Sequence, residues 1–300
     1  MNMTKYFLLL AAAAAAVAIV SCGKDNKEKE VPENAESAKK ALVAYLPLND
    51  ANNVIATGEG FSVVGLGGAG EFNTSGFKGG CYNNSAADID AQAYLKLNVP
   101  EKFLSGLTSF TFSAWINSPA QRGGIITFDG GEDANWGAWD LFFDGGDAEE
   151  GTILKGYFYN QTTLWKGFYP TYKGLEVAQN KWIQVVYSYD ENTSHANLYV
   201  NGTLVGPVDE ESGEIKFTSD CYAQDVDKDG NQPKVGALHL PKVSCMYIGA
   251  FASRETGKSS ESWLSYFAGK IDEIHIYNRA LTDKEISAVY KDEVLNSDLD

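Results

Sequence analysis

The chain has 300 residues with 24 basic and 40 acidic side chains, which gives a formal net charge of −16 at pH 7. Nucleic-acid binding relies on Lys and Arg to neutralise phosphates, so this balance argues against a nucleic-acid partner. The 44% hydrophobic content excludes wholesale disorder, and 30 glycines with 12% aromatic residues favour strands and turns over a helical bundle.

The N-terminal segment predicts export. Lys5 precedes an apolar run over residues 6–20 that ends in a small residue. The run is shorter than the roughly twenty apolar residues of a membrane-spanning helix, which favours a signal peptide at 1–21 over a retained anchor. The segment Ile19-Val20-Ser21-Cys22-Gly23 resembles the lipobox of bacterial lipoproteins, and Lys24-Asp25 resembles the export signal of Bacteroidetes surface lipoproteins.

That resemblance implies that Cys22 carries a lipid and becomes the new N-terminus. Residues 22–40 are polar and charged with few large apolar side chains, so we expect a flexible, solvated tether. The expected location is the outer membrane, facing the cell surface, with membrane contact through the lipid only. Surface enzymes or transport proteins are partners that such a location allows.

Alternation of apolar and polar residues predicts a single β-rich domain over 41–300. Asn201-Gly202 supplies the positive φ angles of a two-residue hairpin turn. Many short strands without long helical segments predict antiparallel sheets packed face to face. Strands are predicted at 41–48, 93–99, 107–117, 124–129, 139–143, 153–159, 181–189, 245–250 and 268–277, and residues 196–205 are predicted as two strands joined by the Asn201-Gly202 turn.

One helix is predicted near the C-terminus. Thr282 and Glu285 have the spacing of a capping box, in which each side chain bonds the backbone N–H of the other. Ile286, Val289 and Tyr290 then recur at helical spacing and form one apolar stripe, which we expect to pack on a sheet.

Three segments resemble the concanavalin A-like, laminin-G-type jelly roll: FTFSAWIN (110–117), KWIQVVYSYDENTSHANLYVNG (181–202) and GKIDEIHIYNRALTDKEISAVY (269–290). The Gly-rich GFKGGCYNNSA (76–86) resembles an early strand of that family. The resemblance implies an all-β, two-sheet antiparallel sandwich with one short C-terminal helix. Such modules bind glycans or proteins, often with calcium, and some relatives hydrolyse polysaccharides. The fold alone does not choose among these functions.

A D-x-D-x-D-G loop predicts a calcium site. Its candidate ligands are Asp225, Asp227, Asp229 and Asn231. Carboxylates at alternate positions of a tight loop can converge on one cation. The bidentate Glu that closes an EF-hand loop is replaced by Gly236, so an EF-hand is not expected. The alternative is a solvated acidic turn.

The cysteines leave two alternatives open. Beside Cys22 the chain has Cys81, Cys221 and Cys245, and the last two bracket the acidic loop. A disulfide between them would restrain a long insertion, and export permits it. Buried free thiols are the equal alternative, since free Cys is among the most buried residue types. The Cys and His spacings do not match a zinc site.

The tryptophans divide into two groups. Trp115 and Trp182 lie in strongly patterned strands and are expected in the core. Trp136, Trp139, Trp165 and Trp263 lie in Gly- or Ser-flanked segments, with amides and carboxylates nearby. We predict a glycan-binding site at Trp136, Trp139, Trp165 and Tyr169, in which rings cover apolar sugar faces. The alternative is that these rings cover the edge of the core.

Catalysis lacks a sequence signature. Hydrolases of this sandwich carry an E-x-D-x-E type strand, and no such triplet occurs here; G-x-S-x-G is also absent. The leading hypothesis is therefore a non-catalytic, surface-tethered carbohydrate-binding lipoprotein. A protein-binding adhesion or assembly lipoprotein and a divergent polysaccharide hydrolase or lyase remain as alternatives.

Overall fold

The computed structural model describes residues 33–85, 92–131, 136–147, 151–162, 167–209, 211–222 and 228–299. The predicted signal peptide, Cys22 and the tether up to residue 32 lie outside the described residues. Within the described ranges, no helix is both long enough and apolar enough to cross a membrane.

The described residues form seventeen strands and few helices. The strands are β1 Leu42–Leu46, β2 Ser62–Gly68, β3 Glu71–Asn73, β4 Cys81–Asn83, β5 Ala93–Asn98, β6 Phe110–Asn117, β7 Arg122–Phe128, β8 Trp139–Asp147, β9 Gly151–Tyr159, β10 Gly167–Phe168, β11 Thr171–Leu175, β12 Ile183–Asp190, β13 His195–Val200, β14 Thr203–Val205, β15 Ser219–Asp220, β16 Cys245–Ile248 and β17 Lys270–Tyr277. The helices are α1 Glu33–Lys39, α2 Ala252–Glu255 and α3 Asp283–Leu295, with a 3₁₀ turn at Leu104–Gly106.

The strands form two antiparallel sheets, which confirms the predicted sandwich. The first sheet has the order β14-β13-β12-β6-β17-β4-β3, with β1 beside β17 and β15 beside β13. The second sheet has the order β10-β9-β8-β7-β16-β5-β2, with β11 beside β9. Several neighbouring strands are distant in sequence, such as β6 beside β17 and β7 beside β16, so local turns alone do not set the order of strands.

The core lies between the two sheets. From the first sheet, Phe110, Phe112 and Ile116 of β6 are buried in the main apolar cluster, as their period-two spacing predicts. From the second sheet, Leu141 and Phe143 of β8 enter the same cluster. These two strands therefore each give one row of side chains to the core, and the other row faces outward.

The predicted hairpin is confirmed at β13–β14. Val200 pairs with Thr203, and the two residues between them have φ angles of 49° at Asn201 and 72° at Gly202. A Cβ on Gly202 would lie 2.8 Å from the Cβ of Tyr290 on α3. Glycine at position 202 therefore allows both the positive φ angle of the turn and the close approach of α3.

The predicted capping box is confirmed at the start of α3. Thr282 accepts a hydrogen bond from the Glu285 backbone at 3.3 Å, and the Thr282 backbone donates to Glu285 at 2.9 Å. Arg279 donates to both carboxylate oxygens of Glu285, at 2.7 and 2.8 Å, and holds the pKa of that carboxyl at about 2. Ile286 and Val289 are buried on the side of α3 that packs on the first sheet.

The predicted tether is wrong for Glu33–Lys39, which form α1. Ala38 packs in one buried cluster with Ile286 and Val289 of α3, and Arg279 donates to the Ser37 carbonyl at 3.2 Å. Small alanines at i and i+3 let a polar segment dock closely on another helix, which composition alone does not reveal. The folded domain therefore begins before residue 41.

The three described cysteines are buried free thiols. Of the two alternatives, the structure therefore has the thiols rather than a Cys221–Cys245 disulfide. Burial raises the pKa of the Cys81 and Cys221 thiols to about 12, so both are protonated at neutral pH.

A buried polar network fastens α3 to the first sheet. One oxygen of Glu293 accepts hydrogen bonds from Trp115 Nε1 at 2.6 Å and from Gln184 Nε2 at 2.7 Å. The other oxygen lies 3.2 Å from Nδ1 of His275. Trp115 is buried, as predicted, but beneath α3 rather than between the sheets.

Candidate functional site

One row of side chains crosses the outer face of the second sheet. Tyr247 of β16 is paired with Lys96 on one side and with Thr127 on the other. Thr127 is paired with Asp140 of β8, and Asp140 with Tyr157 of β9. Directly opposed residues of antiparallel strands share a face, so this row lies opposite the core face.

Four aromatic side chains gather at the β8–β10 end of this row, and we call them the aromatic face: Trp136, Tyr157, Tyr169 and Trp263. The ring of Trp136 lies 6.5 Å from that of Tyr169 and 6.2 Å from that of Trp263, with steep interplanar angles in both pairs. Tyr157 lies 4.9 Å from Tyr169. Trp136 is 42% exposed and Tyr169 37%, so the face presents two accessible rings beside buried Tyr157 and half-buried Trp263.

The segment between β16 and β17 brings Trp263 onto this sheet. Thr127 of the sheet donates a hydrogen bond to the Ala250 carbonyl at 2.8 Å, which fixes the start of the segment. Lys258 binds the carboxylate of Asp129, at the start of the loop that leads to Trp136. These contacts join the two segments that carry the indole rings of the aromatic face.

The buried carboxyl of Asp140 lies close to Tyr157 and Tyr169 of the aromatic face. Asp140 is 3% exposed, and its Oδ1 has no hydrogen-bond partner among the residues that the structure describes. Burial raises the pKa of Asp140 well above the ordinary range. Burial, reinforced by Asp140, also raises the pKa of Tyr169 to about 12. A Cβ on Gly137, which has a φ of 129°, would lie 2.8 Å from both Asp140 carboxylate oxygens, so only glycine fits above this carboxyl.

Two of the four predicted glycan-binding residues lie on this face, namely Trp136 and Tyr169. Trp165 lies outside the described residues. The predicted site omitted Tyr157 and Trp263. Trp263 could have been included because it is a Ser-flanked tryptophan in a loop segment. Tyr157 joins the site through strand pairing, which no local sequence motif predicts.

The prediction for Trp139 is wrong. Its side chain is 0% exposed and lies between the sheets, with ring centroids 4.1 Å from Phe112 and 5.1 Å from Tyr187. The reason is the pleat: Trp139 and Leu141 point into the core, and Asp140 between them points outward.

The described part of the acidic loop gives no metal geometry. Asp225 and Asp227 lie outside the described residues, and Asp229 and Asn231 lie in an exposed turn. Among the described residues, no group of three or more His, Cys, Asp or Glu side chains is arranged to hold a metal ion.

Three cavities beside the first sheet and α3 differ from the aromatic face. The largest, about 750 Å³, lies between α3 and the β13–β14 hairpin. The others, about 540 and 310 Å³, lie beside Tyr199 and Tyr45. The described linings of all three lack an exposed aromatic ring, so the aromatic face is the better candidate for stacking on a sugar.

Solved structures share this fold at low sequence identity. The binding domain of botulinum neurotoxin serotype G matches with a TM-score of 0.51 and 15% identity, over 84% of this chain and 51% of that one. The binding domain of botulinum neurotoxin DC, solved in complex with rat synaptotagmin II, matches with a TM-score of 0.54 and 15% identity, over 85% and 52%. The chain thus spans about half the length of these binding domains.

A third match is domain 4 of the GH43 extracellular arabinanase AbnA from Geobacillus stearothermophilus, in complex with arabinotriose. It has a TM-score of 0.45 and 15% identity, over 83% of this chain and 98% of that one, which is too distant to inform function. No curated protein matches the chain significantly. A laminin-G-type family model, described as the concanavalin A-like lectin/glucanases superfamily, matches residues 90–244, which is more than half of the chain. The chain therefore belongs to the concanavalin A-like lectin/glucanases superfamily.

Proposed function

We propose that this protein is a surface-tethered, non-catalytic carbohydrate-binding protein whose glycan lies on the aromatic face. The observation that carries the proposal is the pair of exposed rings, Trp136 and Tyr169, set at 62° to each other on the outer face of a rigid sheet. Membership of a superfamily of lectins and glucanases supports a carbohydrate ligand. The solved neighbours described as binding domains agree with a binding role.

The chemistry of the face suits a sugar. An aromatic ring covers the apolar C–H face of a pyranose, and the indole N–H and phenol O–H at the ring edges bond its hydroxyl groups. The two exposed rings are inclined rather than coplanar, so they can contact successive units of a chain that turns between them. Buried Tyr157 and half-buried Trp263 hold the exposed rings in place, which lowers the entropy cost of binding.

Glycan-array binding followed by calorimetry tests the proposal. Trp136→Ala or Tyr169→Ala is expected to weaken binding about tenfold to a hundredfold, because such aromatic anchors carry much of the binding energy. Tyr222→Ala is the matched control, since Tyr222 is 38% exposed and lies outside the aromatic face. Equal affinity in all variants, or release of reducing ends from the bound polysaccharide, would contradict the proposal.

Protein binding is the second candidate, and the edge strand β2 favours it. Among the described residues, β2 pairs with β5 on one side and leaves its other edge unpaired, and Val63, Val64 and Leu66 on it are exposed. Such an edge can accept an extended segment of another protein. If this candidate is right, Val64→Lys abolishes binding of a protein partner that Trp136→Ala leaves intact.

The surface location and the calcium site belong to the same proposal. We propose lipid attachment at Cys22, so palmitate labelling should be lost in Cys22→Ser, and labelling that persists would refute it.

We propose calcium at Asp225, Asp227, Asp229 and Asn231. Calcium should raise the melting temperature relative to chelator, and Asp227→Ala should remove that difference, because a ligand bound only to the native state stabilises it. An unchanged melting temperature would exclude the site.

A further inference from the structure

We infer that Lys258 is a positioning residue of the aromatic face, and that its ammonium group holds Trp136 in place beside Trp263 before a ligand arrives. The inference rests on the proposed function and adds the residue on which the geometry of that site depends. Lys258 is not one of the four rings, so it acts on the ligand through the position of Trp136.

The two indole rings come from segments that are distant in sequence. Trp136 lies in the β7–β8 loop, residues 129–138, of which the structure describes 129–131 and 136–138. Trp263 lies in the β16–β17 segment, residues 249–269. Their ring centroids are 6.2 Å apart at an interplanar angle of 75°. Tertiary contacts between the loop and the segment must therefore set this arrangement.

The β16–β17 segment has anchors that do not involve the Lys258 side chain. At its start, the Thr127 hydroxyl of β7 donates to the Ala250 carbonyl at 2.8 Å. Farther along, the Arg254 guanidinium donates to the Leu264 carbonyl at 2.6 Å, next to Trp263. The position of Trp263 is thus fixed from the sheet and from within the segment.

The ammonium group of Lys258 joins this segment to the β7–β8 loop. It donates hydrogen bonds to the Asp129 carboxylate and to the Gly131 carbonyl, both in the limb of the loop that leads to Trp136. Gly131 has a φ of 64°, which glycine adopts freely, so an outside contact is needed to hold the backbone there. The side chains of Lys258 and Asp129 are 25% and 15% exposed, so water screens this ion pair less than a pair on the open surface.

The consequence is a binding surface that is ordered in advance. A ligand that stacks on two rings binds more weakly when one of them must first be ordered. Without the Lys258 ammonium, the β16–β17 segment keeps its own anchors, whereas the β7–β8 loop loses two contacts. Trp136 should therefore become less ordered, and Trp263 should not.

Nitrogen-15 relaxation of the indole N–H groups tests this without a ligand. In Lys258→Met, the order parameter of Trp136 should fall by about 0.2 or more, and that of Trp263 should not change. Unchanged signals of the buried Trp115 and Trp139 show in the same spectrum that the variant is folded. An order parameter of Trp136 equal to that of the parent protein would overturn the inference.

Three further variants control for charge and for packing. Lys258→Arg should keep Trp136 ordered, because a guanidinium can donate to both the carboxylate and the carbonyl. Asp129→Asn keeps the shape but removes one charge of the pair, so it should give a smaller fall than Lys258→Met. Lys155→Met is the matched control: Lys155 is also 25% exposed and binds Asp144, but both lie in the paired strands β8 and β9. An equal fall in Lys155→Met would overturn the inference.

Affinity for a glycan that the array identifies separates the inference from the proposed function. Lys258→Met is expected to bind about tenfold more weakly than the parent protein, and Lys258→Arg within about threefold of it. Equal affinity of Lys258→Met and the parent would overturn the inference and leave carbohydrate binding standing. A parent protein that binds no glycan would overturn the proposed function, and the relaxation data would still decide whether Lys258 orders Trp136.

Discussion

Replacement of Trp139 by alanine is expected to destabilise the domain by about 3–5 kcal/mol, since it empties a large space between the sheets. The side chain is fully buried, and its ring stacks on Phe112 and Tyr187. Trp136→Ala, three residues earlier, should change the free energy of unfolding by less than about 1 kcal/mol, because that ring is exposed. Urea denaturation of both variants measures the difference.

This pair of variants separates a packing role from a binding role. If the pleat of β8 is as described, Trp139→Ala is the unstable variant and Trp136→Ala is the one that loses ligand. A stable Trp139→Ala protein would place that ring at the surface and contradict the register of β8 with β9.

Replacement of Glu293 by alanine is expected to destabilise the domain by about 3 kcal/mol, because it leaves buried donors unpaired. Trp115 Nε1 and Gln184 Nε2 both donate to this carboxyl, and both donor residues are buried. Asp292→Ala, one residue earlier on α3 and partly exposed, is the matched control and should cost less than about 1 kcal/mol. Equal stability of the two variants would contradict a stabilising role for this buried polar network.

The Glu293 carboxyl is expected to make the stability of the domain depend on pH. Burial raises the pKa of Glu293 to about 8 and lowers that of His275 to about 4. Glu293 and His275 are 3.2 Å apart, so they titrate as a pair. In the folded state this pair keeps one proton, on either residue, up to about pH 8. The unfolded chain loses this proton near the ordinary His value of 6.5. Between these values the folded state binds more protons, so stability falls as pH rises.

Glu293→Gln tests the sign of this effect. The free energy of unfolding of the parent protein should decline from about pH 6.5 to about pH 8, and the glutamine variant should decline less. Part of the decline should remain, because burial also raises the pKa of Asp272 to about 8. A parent protein whose stability rises over this interval would contradict the buried pair.

The sequence predicted those parts of the fold that depend on local rules. Alternation along β6, positive φ angles at Asn201-Gly202 and the capping box of Thr282 each follow from neighbours within four residues. Helix α1 was not predicted because its stability comes from the packing of Ala38 against α3, which lies far along the chain. When that contact is unknown, charged residues around small alanines predict a flexible tether.

The site was predicted only in part, for a related reason. Trp136 and Tyr169 are recognisable as loop aromatics, but the pairing of Asp140 with Tyr157 depends on the register of β8 with β9. The segment around Trp139 carries large side chains on both faces of the strand, so its alternation does not say which face is the core. The polar Asp140 marks the outer face only once the neighbouring strands are known.

Nuclear magnetic resonance of the indole N–H groups tests the central claim most directly. Addition of a glycan that the array identifies should shift the resonances of Trp136 and Trp263, on the outer face of the second sheet. The resonances of Trp139, between the sheets, and of Trp115, beneath α3, should stay in place. Shifts confined to Trp115, with Trp136 and Trp263 unmoved at saturation, would place the ligand elsewhere and contradict the account.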